Sequence, residues 1–171
     1  MEVVDIILDI MYDWANLLPR PLESKYGWYK RTNRISKRQF GRGIRHMQER
    51  GLLQVISKND QRFIKLTQKG QLEALLSKAL KKSEPEKWDG KWRLVVFDIP
   101  ESSKNKRHFF RALLKTNGFY KLQASVYINP YSLNREALRY LEVTGLINYI
   151  RILRVDDMDN DRKLKKYFNL K

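Results

Sequence analysis

No cysteine occurs among the 171 residues, which excludes disulfides, cysteine nucleophiles and thiolate metal sites. The two histidines, His46 and His108, stand far apart with no motif between them, so a zinc finger is excluded as well. No run of about 18 apolar residues is present to span a bilayer. The N-terminus carries acids where a signal peptide would carry a basic flank and a small-residue cleavage site. A cytoplasmic protein without a membrane span is expected. Negative charge is also scarce: 35 Lys and Arg face 19 Asp and Glu, for a formal charge of +16. Such a surface repels itself unless an anionic partner compensates, and polyphosphate is the commonest one. A hydrophobic share of 42% with 12% aromatics fills one large or two small cores, which excludes overall disorder.

The first segment spaces Val3, Ile6, Ile7, Ile10, Met11, Trp14 and Leu17 by threes and fours, the pattern of an amphipathic helix, and Pro19 and Pro21 end it. From Arg20 to Arg45 the only acid is Glu23, against Arg20, Lys25, Lys30, Arg31, Arg34, Lys37, Arg38, Arg42 and Arg45. Ser36 suits the N-cap of a helix running to about Arg50, and Gly51 stands where a left-handed residue ends it. Stepping about 100° per residue puts Ile44 and Met47 within about 40° of Phe40, while Arg38, Arg42 and Arg45 fall at roughly 140° to 200°. An exposed helix face is usually charged, but it ordinarily mixes signs, and here only Glu49 joins three arginines. The spacing favours a recognition helix over a merely solvated one.

After Gly51, Leu52 to Ile56 and Phe63 to Leu66 read as two strands around the turn-like Ser57 to Gln61. Thr67 then caps a helix with Leu72, Leu75, Leu76, Ala79 and Leu80 at helical spacing. Helix, basic helix, hairpin, helix is the order of a winged helix-turn-helix. Lys58 and Arg62 flank the wing tip, where they could reach phosphate or the minor groove, although a hairpin loop is simply polar too. The segment Leu22 to Tyr29 is short for the helix expected ahead of the basic one. Its Tyr26, Trp28 and Tyr29 read as core in preference to base-stacking platforms.

The polar stretch around Ser83 and Pro85 reads as a linker. Beyond it, Trp92 to Ile99 is a buried strand closed by Pro100. Ser102 or Ser103 can cap a helix carrying Phe109, Phe110, Leu113 and Leu114 that Gly118 ends. Phe119 to Asn129 is a strand pair or one long kinked strand. A helix through Asn134 to Val143, with Ala137, Leu138 and Leu141 inward, stops at Gly145, and Ile147 to Val155 is the last strand. This β-α-β-β-α-β order is that of ferredoxin-like domains. The acids Asp156, Asp157, Asp159 and Asp161 meet only the first positions of a calcium loop, since Arg162 and Phe168 replace the required glycine and glutamate. A solvated turn is expected there. His108, beside Lys106 and Arg107, reads as a surface residue.

The stretches Trp88-Asp89-Gly90-Lys91-Trp92-Arg93, Val96-Phe97-Asp98-Ile99-Pro100-Glu101, Gly118-Phe119-Tyr120-Lys121-Leu122-Gln123 and Ser125-Val126-Tyr127 together resemble the central domain of the phenylacetate-catabolism repressor family, PaaX. That domain is itself similar to the small CRISPR-associated endonuclease that partners the spacer integrase. The resemblance covers roughly Trp88 to Val155. It implies a dimerising ferredoxin-like domain joined to a DNA reader in a transcriptional repressor. The family's repressors continue into a further domain associated with an acyl-CoA inducer, and this sequence stops at Lys171, so inducer control by a small molecule is not expected. In the nucleases, the aspartate ending the first strand binds a divalent metal at a dimer interface. By position this makes Asp98 the candidate for a magnesium-dependent endonuclease. One carboxylate per subunit is a thin ligand supply for a hard cation, and a turn-capping role is the favoured reading of Asp98.

The expected architecture is therefore α+β: a winged helix-turn-helix over residues 1–82, a linker over 83–90 and a ferredoxin-like dimerisation domain over 91–171. The expected function is a homodimeric, double-stranded-DNA-binding regulator that needs no cofactor and is not an enzyme. Arg38, Arg42 and Arg45 would enter the major groove, and Arg34, Lys37, Lys58 and Arg62 would hold phosphates. The alternative is a metal-dependent nuclease or spacer-acquisition accessory using Asp98, with magnesium as cofactor.

Overall fold

A computed structural model describes residues 4, 7, 8, 11, 36–58, 61–81 and 87–170. The chain packs as two units, Met1–Lys78 and Ala79–Lys171, both mixing helices with antiparallel sheet. Among the described residues no helix is long and apolar enough to cross a membrane.

In the first unit, Val4, Ile7, Leu8 and Met11 are helical. Their i, i+3, i+4, i+7 spacing puts them on one face, and they pack with Met47, Leu52, Leu53, Leu66 and Ala74. Of the stripe expected from the sequence, Ile7 and Met11 are in this core, and Val4 and Leu8 join them. Val3, Ile6, Ile10, Trp14 and Leu17 lie outside the described residues, as do Arg20 to Arg34. Helix α1, Lys37–Glu49, is followed by strands β1, Leu53–Lys58, and β2, Gln61–Leu66, and then by helix α2, Gln68–Ala79. The hairpin is longer than its apolar pattern suggests. Its six pairs run from Leu53↔Leu66 to Lys58↔Gln61, because backbone pairing continues through polar residues that no burial pattern marks.

The second unit is built on strand β3, Trp92–Phe97. A short 3₁₀ turn leads into helix α3, Lys104–Thr116. Strands β4, Tyr120–Gln123, and β5, Val126–Asn129, follow, then helix α4, Arg135–Val143, strand β6, Ile150–Val155, and helix α5, Arg162–Tyr167. The sheet order is β4-β5-β3-β6 with every neighbour antiparallel, the split arrangement of a β-α-β-β-α-β chain. Residues 119–129 are thus a strand pair, with an irregularity between Lys121 and Gln123.

Alternation along β3 sends Val95 and Phe97 to one face and Trp92 and Leu94 to the other. The first face packs on Phe110, Leu113 and Leu114 of α3 and Ala137 and Leu141 of α4. The second packs on Leu164 of α5, with Trp88, Met158, Phe168 and Leu170 around it. The solvated turn expected after the last strand does form, with Asp156, Asp157 and Asp159 exposed in it, but helix α5, which follows it and packs on the sheet, is not foreseen in the sequence. The reason lies in Trp92, which is buried on the second face and needs both cover and an acceptor: its Nε1 donates to Asp161 Oδ2 at 3.3 Å. Asp161 also pairs with Lys165 at 3.0 Å. The last strand also starts later than expected, since Gly145 at φ 69° turns Leu146–Tyr149 into a 3₁₀ turn before β6.

Three asparagines close the first face. Asn129 is buried; its Nδ2 donates to the Asn117 carbonyl at 3.0 Å and its Oδ1 accepts from Tyr131 N at 2.9 Å. Asn117 Nδ2 donates to the Ala79 carbonyl at 2.9 Å, and Asn134 Nδ2 to the Lys81 carbonyl at 2.9 Å. Asn134 also caps α4 through Ala137 N at 2.6 Å.

The Trp88–Arg93 stretch proves structural. Asp89 receives Arg93 Nη1 and Nη2 at 2.8 and 2.7 Å and Lys91 N at 3.1 Å, while Trp88 Nε1 donates to the Lys91 carbonyl at 3.0 Å. Gly90 permits the turn with φ 79°. Residues 83–86 of the expected linker are outside the described set, and Trp88–Gly90 form this turn.

The Arg93 guanidinium holds the Asp89 carboxyl well below the usual carboxylate range. A depressed folded-state value stabilises the fold above the unfolded value of about 3.9, and that stability is lost as pH falls below it. Asp89→Asn is therefore expected to lower the melting temperature at pH 7, with the gap to the parent narrowing as pH drops from about 4 toward 2. Thermal melts across that range check this; a gap independent of pH contradicts it.

Candidate nucleic-acid interface

Helix α1 owes its start to a reciprocal cap. Ser36 Oγ accepts from Gln39 N at 3.3 Å, and Gln39 Oε1 accepts from Ser36 N at 2.9 Å. Its end is a Schellman turn: Gly51 at φ 69° donates to Gln48 O at 2.9 Å, and Leu52 N donates to Met47 O at 2.8 Å. Met47 and Leu52, the two residues that this turn brings together, are both fully buried.

Phe40, Ile44 and Met47 face the core, with Met47 completely buried and the other two packed against the cluster. Arg38, Arg42 and Arg45 are all exposed. Among the described residues no carboxylate pairs with any of them, and Glu49 lies 4.0 Å from His46. The first turn of α1 carries no acid, although the helix dipole favours negative charge there. The face therefore combines uncompensated guanidinium groups with a rigidly delimited helix.

The helix is further tied down at its C-terminal end by α2. Thr67 Oγ1 donates to the Gly51 carbonyl at 2.7 Å and accepts from Gly70 N at 3.1 Å, as the cap of α2. Thr67 N donates to Leu52 O at 3.0 Å, Lys69 Nζ donates to the Arg50 carbonyl at 2.8 Å, and Arg50 pairs with Glu73. This joint escaped sequence reading apart from the Thr67 cap, because its partners are backbone carbonyls distant in sequence. A glycine inside a helical pattern was the available signal. At Gly70 an added Cβ would stand 1.9 Å from the Leu52 carbonyl oxygen.

The other expected contacts are distributed differently. Lys37 is the first residue of α1. Lys58 ends β1 opposite Gln61, and Arg62 sits in β2 opposite Ser57, so both belong to the last two pairs of the hairpin beside its tip. Arg34 lies outside the described residues, with Tyr26, Trp28 and Tyr29. In the second unit, Asp98 follows β3 with an exposed side chain, and its backbone N donates to the Tyr149 carbonyl at 2.9 Å. Neither the 3₁₀ turn nor α3 has a side-chain cap bond, so the capping expected of Asp98 and of Ser103, the N-cap of α3, does not form. The backbone itself closes this turn, through Ser103 N to the Pro100 carbonyl at 2.9 Å. Among the described residues of one chain no group of three or more His, Asp or Glu could hold a metal ion. A hard cation wants six or more oxygens, and one chain offers a single carboxylate here. His108 is exposed.

Residues 85–166 match the family model of the PaaX protein central Cas2-like domain. This supports a PaaX-like family and spans the sheet, α3, α4 and most of α5. No curated protein matches the chain. Within residues 85–166, the sequence stretches that carry the resemblance are mostly scaffold: the Asp89–Arg93 turn, the buried β3 and the Gly118 helix stop at φ 80°.

Gly70→Ala is expected to destabilise the first unit by about 1–3 kcal/mol, because a backbone carbonyl cannot yield as a flexible side chain does. Chemical denaturation followed by fluorescence checks it; unchanged stability would mean that α2 does not need its close approach to Leu52.

Proposed function

We propose that the chain is a cytoplasmic, sequence-specific transcriptional regulator of double-stranded DNA, a repressor acting as a homodimer. In this reading α1 is the recognition helix of a winged helix-turn-helix and the β1–β2 hairpin is its wing. The Cas2-like domain is the dimerising half that sets the spacing of two half-sites. The observation that carries the reading is the face of α1: three exposed arginines, with no acidic partner among the described residues, opposite a buried stripe on a helix capped at both ends. The match of the second unit to a domain of the PaaX protein supports the regulator class.

Physically, Arg38, Arg42 and Arg45 span about two turns, or roughly 10 Å, a length that fits a major groove about 12 Å wide. Guanidinium forks discriminate guanine by paired bonds to O6 and N7. Lys37, Lys58, Arg62 and Arg34 would hold phosphates, fixing register without reading sequence. Capping and the α2 joint keep the face pre-organised, so that little side-chain and backbone ordering opposes binding.

On a selected operator, Arg42→Ala is expected to weaken binding by about 1–3 kcal/mol and relax preference at one position. Lys37→Ala should weaken all duplexes alike and reduce the salt slope by about 1. Footprinting should protect two half-sites related by a two-fold, about 34–36 Å or a multiple apart. Equal affinity for every duplex sequence would overturn the operator reading.

A further inference from the structure

Helix α3 carries a second basic strip that the recognition face does not account for. Its thirteen residues, KNKRHFFRALLKT, include no acid. Stepping about 100° per residue from the buried Phe110 puts Arg107, Arg111, Lys104, Lys115 and His108 in one arc, between roughly 60° and 160°. The opposite flank, where Phe109 meets Tyr140 at 5.3 Å, belongs to α4. The basic arc therefore looks the other way, toward the β4–β5 turn: Arg111 Nη2 donates to the Ala124 carbonyl at 3.3 Å. Lys121 of β4 pairs with Tyr127, whose ring is in the core under α3, so Lys121 projects on the same side of the sheet.

Three features set this strip apart from an ordinary solvated helix face. Of the strip's cations, only Arg107 has an acidic partner among the described residues, Glu101 at 3.3 Å. The neighbouring helix on the same sheet face, α4, mixes Arg135 and Arg139 with Glu136 and Glu142, as solvated helices do. Finally, Lys104 and Arg107 of the strip occupy the first turn of α3, where the helix dipole opposes positive charge. Two cations of the strip held there against local helix stability point to an anion supplied from outside.

The arc is drawn out along the axis. Lys104 to Lys115 covers about 16 Å with a basic residue on each turn, matched to a backbone carrying one charge per about 1.7 Å of duplex. We infer that α3 and Lys121 form a second, sequence-independent contact for the phosphate backbone of duplex DNA. This rests on the reading of the chain as a DNA binder but not on the arginine face of α1.

The test uses the full chain and a random-sequence 30-bp duplex, with affinity measured by fluorescence anisotropy over a series of salt concentrations. Neutralising the strip with K104Q/K115Q/K121Q is expected to flatten the plot of log affinity against log salt by about 0.9 for each phosphate that is no longer neutralised. The melting temperature should stay the same or rise, since Lys104 opposes the dipole. K104R/K115R/K121R should restore the parent slope. R38Q/R42Q/R45Q should retain salt-dependent binding that only the combined variant loses.

A parent-like slope and affinity in K104Q/K115Q/K121Q overturn the inference. If R38Q/R42Q/R45Q alone then abolishes binding, the α1 reading stands without it. A flattened slope in the lysine variant beside parent behaviour in R38Q/R42Q/R45Q upholds the strip and removes the recognition helix. Parent-like DNA binding together with loss of polyglutamate binding would assign the strip to an acidic protein and overturn the inference.

Discussion

Strand β3 has to be covered on both faces, and the second unit follows from that requirement. Trp92, Val95 and Phe97 are nearly inaccessible, and their side chains alternate between two separate apolar clusters. Burial of aromatic and aliphatic side chains at roughly 25 cal/mol per Å² makes an uncovered face unfavourable. One face is met by two amphipathic helices, as the β-α-β-β-α-β order supplies them. The other has no helix in that order, so the chain beyond β6 folds back with Leu164, Phe168 and Leu170. Asp161, an acceptor for the Trp92 indole, anchors that return.

Polar groups inside this frame are paired in ways that restrict it to one arrangement. Asn117, Asn129 and Asn134 share donors and acceptors with the carbonyls of Ala79 and Lys81 and with the start of α4. A buried amide left without partners is unfavourable by about 1–3 kcal/mol, so these three residues specify the loops around them more than they add net stability. In the first unit the same role falls to Thr67 and Gly70, which bind the end of α1 to the start of α2. The arginine face is thereby carried on a helix whose two ends are both determined.

Charge in this protein is placed against local stability on several helices: α1, α2, α3 and α5 have no acid in the first turn, and α1, α3 and α5 begin with cations. Where α4 follows the ordinary rule, with Glu136 in its first turn, it has no comparable strip. Local electrostatics and the arrangement of the arginines and lysines disagree, a cost that the polyanionic partner of the proposed function would offset.

Much of this was legible in the residues themselves. Capping and stop signals are local, so Ser36, Gly51, Thr67 and Gly145 mark helix ends correctly from sequence, and the 3.6-residue period separates Phe40, Ile44 and Met47 from Arg38, Arg42 and Arg45. The order of strands and helices in the second half follows from the same signals. Other features depend on partners far along the chain. Helix α5 is short and has little periodicity of its own, and it is explained only by the second face of β3 that it covers. The role of Gly70 depends on a carbonyl eighteen residues earlier, at Leu52. The hairpin extends past its apolar residues because strand pairing is satisfied by backbone groups that every residue carries. The sequence alone determined the approximate extent of α1 to α4 and which face of α1 is charged, since both are set within a few turns of chain. Only the tertiary structure decided what covers Trp92 and what holds α1 against α2, because those depend on packing and hydrogen bonds between distant segments.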